Sequence, residues 1–262
     1  MKSFPHEPSK LKKKLVQNKL TIGSWLTIPH QAVIEVMGTA GFEWLTIDIE
    51  HTSIGLETAQ NLIALIQSNG MEALIRVSSN EEVTIKRIMD AGANGIIVPM
   101  IKSGEEAERA VSYLRFPSMG IRGVGLARAQ HYGIGFNSYL DWLKTNSILI
   151  TQIEHIDGVN DIENILRVDG VDGIIIGPYD LSASMGKPGD FNDKEVLEAI
   201  EYVKSKTLES KKTLGFHVID SSHRALQEKI DEGFTFLANS IDFLFLGDKV
   251  RYEMESLMKG IK

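Results

Sequence analysis

The sequence predicts a parallel (β/α)8 barrel of the α/β class, read as one domain over residues 1–262, and three observations carry that prediction. Short apolar, β-branched runs alternate with helix-period segments along the whole chain, as successive βα units around a parallel sheet require. Eight such units can be counted. Several apolar runs also end in charged side chains: Ile47-Asp48-Ile49-Glu50-His51, Gln152-Ile153-Glu154 and Gly177-Pro178-Tyr179-Asp180-Leu181. In a barrel the chemistry sits at strand carboxyl ends, so these junctions mark the candidate site.

The basic run Lys10-Leu11-Lys12-Lys13-Lys14 reads as a solvated first helical turn rather than a polyanion site. Thr21 to Thr27 is the first strand, and Trp44 to Glu50 the second, with Gly41 stopping the helix between them. The amphipathic run Glu57 to Ser68 stops at Gly70 ahead of strand Glu72 to Val77. Glu81 to Ala91 stops at Gly92 ahead of Gly95 to Pro99. Glu105 to Arg115 follows, ended by Pro117. The chain then inserts Gly120-Ile121-Arg122-Gly123-Val124-Gly125 and Ala127 to Thr145, either a lid or subunit contact at the active face or a surface excursion. Ile148 to Glu154 and Gly173 to Gly177 are consecutive strands and hence neighbours. Helix Lys194 to Leu208, strand Thr213 to Val218, helix Ser222 to Glu232 with its stop at Gly233, and strand Phe234 to Asn239 complete the ring. The last segment, Asp242 to Lys262, carries Phe243, Leu244, Phe245, Leu246, Val250, Met254, Leu257 and Met258. Either it is the closing helix of the barrel or it docks on a neighbouring subunit.

At 262 residues with 43% hydrophobic composition, the chain is long enough for one large core. A net charge of -7 disfavours nucleic acid or an anionic membrane surface as main partner. The absence of cysteine excludes disulfides, thiolate ligands and a cysteine nucleophile, and fits a cytoplasmic protein. The first residues show no apolar signal core, and no run approaches the ~20 apolar residues of a membrane span.

Glu154 and Asp180 follow two consecutive apolar strands, and two carboxylates converging there suit a hard divalent cation, Mg²⁺ or Mn²⁺. The alternative is that each only caps the next helix. Asp48 and His51 lie three residues apart at a strand end, so a turn can bring the carboxylate to one imidazole nitrogen and prepare the other as a general base. Arg76 sits in an apolar run and must find an anion, either a substrate oxygen or Asp48 or Glu50 of the adjacent strand. Gln152 shares a strand face with Glu154 and can donate to a substrate oxygen or orient a ligand. Backbone N–H groups after Gly177 form a carboxylate cradle. His155 and His217 could edge the pocket, and Glu50 has no assigned role.

Together with Gly23-Ser24-Trp25-Leu26, Val98-Pro99-Met100 and the Gly120 to Gly125 run, these motifs resemble the HpcH/HpaI aldolase family, the metal-dependent class II pyruvate aldolases. The resemblance covers nearly the whole chain. It implies a TIM barrel of the phosphoenolpyruvate/pyruvate-binding type, and a divalent ion (Mg²⁺ or Mn²⁺, with Co²⁺ a further candidate) held by Glu154 and Asp180. It also implies that Arg76 stabilises an enolate oxygen and that His51, oriented by Asp48, moves protons. Trp25 and Gln152 would line the pyruvate end, and amides near Tyr179 and Asp180 would bind the carboxylate. The implied reaction cleaves a 4-hydroxy-2-oxo acid, such as a 2-keto-3-deoxy sugar acid, to pyruvate and an aldehyde. The implied assembly is a hexamer, a trimer of dimers, with the terminal helix exchanged between subunits. One departure is Tyr179, where many members carry a small residue, so the resemblance leaves the aldehyde partner open. A related reading is a lyase or carbon–carbon bond-forming enzyme acting on an acyl-CoA or oxaloacetate, in the manner of citrate lyase.

Overall fold

A computed structural model describes residues 6–261 and closes eight strands into a barrel. In chain order the elements are α1 (Lys10–Val16), β1 (Thr21–Leu26), α2 (Gln31–Thr39), β2 (Trp44–Asp48), α3 (Leu56–Ser68), β3 (Glu72–Arg76), α4 (Glu82–Asp90), β4 (Gly95–Val98) and α5 (Gly104–Leu114). A 3-10 turn at Arg128–Gly133 leads to α6 (Phe136–Asn146), β5 (Ile148–Ile153), α7 (Ile156–Asn160), α8 (Ile162–Arg167), β6 (Gly173–Ile176) and α9 (Pro178–Ser184). The chain closes with α10 (Lys194–Ser210), β7 (Thr213–Val218), α11 (His223–Asp231), β8 (Phe236–Ile241) and α12 (Asp242–Gly260). All neighbouring strands run parallel, and β8 pairs with β1. The first five residues and Lys262, with the expectation about a leader at the amino end, lie outside the described residues.

Alternation along each strand sorts the apolar residues into two cores. Trp25, Trp44, Leu74, Ile97, Ile148, Ile150, Ile175, Phe236 and Ala238 fill the barrel, and Leu11 and Leu15 of α1 join them. Their strand neighbours, among them Leu45, Ile75 and Val98, face outward beneath the amphipathic helices. Inside, Trp44 stacks on Phe236 at 4.3 Å and 8°. Gly23 makes that stack possible, because a Cβ there would stand 2.0 Å from the indole. The helix stops at Gly41, Gly70, Gly92 and Gly233 adopt φ of 88°, 78°, 95° and 94°, the left-handed conformation that glycine enters without steric cost.

Four expectations change. The lysine run is not simply solvated: Lys12 pairs with Asp172 and donates to the Ser147 carbonyl at 2.9 Å, because Leu11 and Leu15 draw α1 onto the barrel floor. The insertion after α5 lies at the amino end of the strands, since it joins a helix to the start of β5; it is no lid on its own barrel's mouth. Fully buried Arg122 anchors it, donating to Asp90 at 2.5 Å and to the Tyr139 hydroxyl at 2.9 Å while stacking 4.7 Å above Phe116. The last strand begins two residues later than expected, because Phe234 N–H still closes the α11 turn on Lys229. It also runs further, since Ser240 takes a left-handed φ of 49° and the register with β1 shifts there. The second strand stops at Asp48, whose carboxylate gathers the turn N–H groups of Glu50 and His51.

α12 is fastened at one end. The Asp242 carboxylate accepts the N–H groups of Thr27 (2.8 Å) and Ile28 (2.7 Å), and Asp242 is the only buried residue of the helix. Phe243, Leu246, Val250, Met254, Leu257 and Met258 are exposed. Among the described residues no helix is long and apolar enough to cross a membrane.

Candidate active site

One step above the apolar layer, the same alternation places Trp25, Asp48, Arg76, Gln152 and His217 inward, each two residues beyond an inward neighbour. The carboxyl end of the barrel is therefore polar where its middle is apolar. A cavity of about 220 Å³ opens there, lined by Trp25, His51, Arg76, Gln152, Tyr179, Asp180 and His217 among others. A roomier hollow of about 720 Å³ lies at the amino end, beside Glu72, Asn94 and Arg128, and holds none of the predicted site residues.

Register decides the first contact. Asp48 and Arg76 are partners across β2 and β3, and the guanidinium grips the carboxylate through Nε at 3.0 Å and Nη2 at 2.7 Å. Bidentate geometry of this kind fixes the guanidinium plane as well as its position. Arg76 also stands 3.2 Å from Glu50 Oε2 and 4.4 Å over the Trp25 ring, so both structural alternatives considered for it hold together. The expected Asp48–His51 pair does not form. Asp48 is already held by Arg76 and by the N–H groups of Glu50 (3.0 Å) and His51 (3.4 Å), so the imidazole turns out to the rim. There it is 63% exposed and its Nε2 lies 3.5 Å from Glu50 Oε2. Burial alone would raise the Asp48 pKa, but the hydrogen bond and charge of Arg76 and the two N–H groups overcome it and hold the carboxyl below its usual range.

Glu154 is buried just beyond β5. Its Oε1 accepts the Met100 N–H at 2.7 Å, and its Oε2 accepts from the Gln152 amide. Met100 presents that N–H from a left-handed φ of 54°, an uncommon conformation for a non-glycine residue. Gly177 has no room for a side chain: its Cβ would stand 2.7 Å from Glu154 Oε2 and 3.2 Å from Gln152 Nε2. Desolvation pushes the Glu154 carboxyl up to about 7, with repulsion from Glu50 and Asp180 adding to it against the bonds from Met100 and Gln152. Glu50 also rises to about 7, again chiefly from burial, with Arg76 opposing and Asp48 and Asp180 reinforcing. Asp180 occupies the first turn of α9 and is exposed. Tyr179 beside it is 54% exposed and meets Phe191 edge-on at 4.7 Å.

Those three carboxylates feel one another and face a single guanidinium. Gln152 Oε1 is buried in the cluster with no hydrogen-bond partner, and Glu50 Oε2 has its contacts with Arg76 and His51 but no well-aligned hydrogen bond. An all-oxygen donor set with excess negative charge fits a hard divalent cation. Among the described residues no three His, Asp or Glu side chains converge tightly enough to form a cation site unaided. Glu154 and Asp180 would supply two ligands, leaving other positions to water and substrate.

Sequence reasoning missed the Met100 amide and left Glu50 and His217 without roles. The nearest signal for Met100 was Pro99, which ends the strand before it. His155 stays out of the cavity and caps α7, its Nδ1 accepting the Asp157 N–H at 3.1 Å.

A closed parallel barrel with a charged cluster at the carboxyl ends of its strands has the layout of a barrel enzyme. The profile of the HpcH/HpaI aldolase/citrate lyase family matches residues 21–246. A hydroxypyruvate/pyruvate aldolase of Roseovarius nubinhibens is 34% identical over 250 residues, 95% of this chain and 96% of its own. A 5-keto-4-deoxy-D-glucarate aldolase of Shigella boydii is 32% identical, over 92% of this chain and 93% of its own. The crystal structure of a family protein from Burkholderia cenocepacia superposes with a TM-score of 0.89 at 28% identity, covering 95% of this chain and 98% of that one. This chain belongs to the HpcH/HpaI aldolase/citrate lyase family and is an enzyme of its aldolase class.

Proposed function

We propose that this chain is a divalent-cation-dependent aldolase that reversibly cleaves a 4-hydroxy-2-oxo acid, such as a 2-keto-3-deoxy sugar acid, to pyruvate and an aldehyde. The observation that carries the reading is geometric: buried Glu154, Glu50 and the first-turn Asp180 of α9 gather at the barrel mouth around the Arg76 guanidinium, which Asp48 fixes in place. Glu154 and Asp180 hold the cation, with Mg²⁺, Mn²⁺ or Co²⁺ as candidates. When bound, the ion acts as a Lewis acid on the keto oxygen.

The chain's own groups do the rest. The N–H groups of Tyr179 and Asp180 follow Pro178 in the first turn of α9 and hold the substrate carboxylate. Trp25 and Gln152 bound the keto-acid end. Arg76, locked by Asp48, presents fixed donors to the oxygen that gains negative charge as the bond between C3 and C4 breaks. His51 at the rim takes the proton of the C4 hydroxyl in cleavage, directly or through water, and Glu50 orients the imidazole in the place expected of Asp48. The C3–C4 electron pair remains on the pyruvate fragment, the aldehyde departs, and a proton added at C3 completes pyruvate. The exposed face of α12 docks on a second copy of the chain within a hexamer. A cytoplasmic setting suits such a small-molecule enzyme.

The acyl-CoA reading needs a groove for a long pantetheine arm, whereas the cavity measures about 220 Å³, suited to a small keto acid. Pyruvate release from a panel of 4-hydroxy-2-oxo acids, coupled to lactate dehydrogenase, tests the reaction. Release from at least one member is expected; none from any, with turnover of oxaloacetate or an acyl-CoA instead, overturns it.

A further inference from the structure

His217 has no part in the reaction described above, yet it faces inward on β7 and lines the cavity. Its Nε2 lies 3.1 Å from the Ser240 carbonyl oxygen, which can only accept, so Nε2 carries the proton and Nδ1 holds a lone pair. The left-handed turn at Ser240, with φ of 49°, goes with the break in register at the top of β8. The Trp25 ring, 5.2 Å away at 46°, braces the imidazole from the other side. Nδ1 makes no hydrogen bond to any described residue. The imidazole is a poor base: burial lowers its pKa to about 4, with the Arg76 charge adding to this against the Ser240 bond and Asp48. It therefore stays neutral, with its lone pair available, at ordinary pH.

Of the other polar groups bordering the cavity, Arg76 and the α9 amides are donors and Asp180 is a carboxylate, while Gln152 Oε1, buried without a partner beside Glu154, is a second neutral acceptor, on β5 rather than β7. Arg76 and the α9 amides suit anionic oxygen, and Asp180 suits a cation. A neutral acceptor does something different. Carboxylate, keto and aldehyde oxygens would set lone pair against lone pair at Nδ1; of the oxygen functions such substrates carry, only a hydroxyl can donate there. We propose that His217 is a substrate contact that selects for a hydroxyl group, Nδ1 accepting a hydrogen bond from a hydroxyl of the keto acid or of the aldehyde. The proposal rests on the aldolase reading and narrows its substrate class to hydroxylated partners.

Aldol addition is measured with pyruvate and 3-hydroxypyruvate against acetaldehyde and glycolaldehyde, in wild type, His217→Leu and His217→Asn. The hydroxylated member of one pair is expected to lose about tenfold in kcat/KM with His217→Leu, while its plain counterpart changes less than about threefold. His217→Asn, which keeps an acceptor near Nδ1, recovers most of that loss. Which pair responds identifies the source of the hydroxyl. An equal fall for all four combinations, or no fall, overturns the proposal. A turnover-free readout separates it from the aldolase reading: in wild type labelled with ¹⁵N-histidine, 3-hydroxypyruvate or glycolaldehyde should shift the His217 Nδ1 resonance where pyruvate or acetaldehyde does not. If no hydroxylated probe moves it, the proposal fails whatever the enzyme turns over. Since this arm uses wild-type protein, it decides the matter even if His217→Leu does not fold.

Discussion

Replacing Asp48 with asparagine distinguishes the contact observed here from the carboxylate–imidazole pair that sequence spacing suggests. Asp48 is 2% exposed and receives two charge-assisted bonds from Arg76, at 3.0 and 2.7 Å. Asparagine keeps one acceptor for the turn N–H groups of Glu50 and His51 but turns an NH₂ toward the guanidinium. Leaving one partner of a buried pair uncompensated costs about 3–5 kcal/mol. Arg76 retains Glu50 Oε2 at 3.2 Å, which offsets part of that loss, so the net destabilisation should be about 2–3 kcal/mol. Because the folded-state pKa of Asp48 is depressed, its contribution is full above the unfolded pKa and is lost as pH falls through the folded value. The stability gap between wild type and Asp48→Asn, from urea unfolding midpoints, should therefore narrow as pH is lowered. Turnover should fall as well, because Arg76 loses the brace that fixes its plane. A gap below about 0.5 kcal/mol at pH 7, together with a changed pH profile of turnover, would refute the ion-pair account and restore the His51 pairing.

Gly177→Ala places a Cβ 2.7 Å from Glu154 Oε2, so Glu154 must move; a loss of about 1–3 kcal/mol in thermal unfolding and roughly 100-fold in kcat is expected, and near-wild-type turnover would contradict the geometry. His217, with its pKa lowered to about 4 from an ordinary 6.5, favours the unfolded state as that state takes up protons first; stability should drop as pH falls from about 6.5 to about 4. The drop attributable to it is at most about 3 kcal/mol, less to the extent that its ring meets water, and should be absent in His217→Asn by calorimetry across that window. Leu246→Glu with Leu257→Glu, at 61% and 56% exposed positions of α12, should shrink the assembly in light scattering while leaving the barrel's circular dichroism intact. An unchanged mass would remove α12 from the interface.

Much of the barrel was legible because strand and helix periods differ and glycine punctuates them. β7 matches the expected bounds Thr213 to Val218, and all four glycines named as helix stops have positive φ. Residue placement at strand ends was legible too: Arg76, Gln152, Tyr179 and Asp180 all reach one cavity. What one strand's sequence cannot contain is the identity of the residue opposite. Asp48 meets Arg76 because of the β2–β3 register, a property of two strands together, and that contact displaced the local pairing with His51. The Ser240 bulge was hidden for a related reason, since a left-handed serine leaves no compositional trace. For the insertion, connectivity decides what composition left open: a segment joining a helix to the next strand must lie at the amino end of the barrel, so the surface excursion holds and the lid at the mouth does not.

The most direct test of the central claim is Mn²⁺ binding followed by electron paramagnetic resonance, with pyruvate release measured on the same samples of wild type, Glu154→Ala and Asp180→Ala. The account predicts one ion per wild-type chain, loss of both the bound signal and pyruvate release in each variant, and restoration of release in chelated wild type on adding the metal. Undiminished Mn²⁺ binding in Glu154→Ala and Asp180→Ala, or full turnover by either variant, would contradict it.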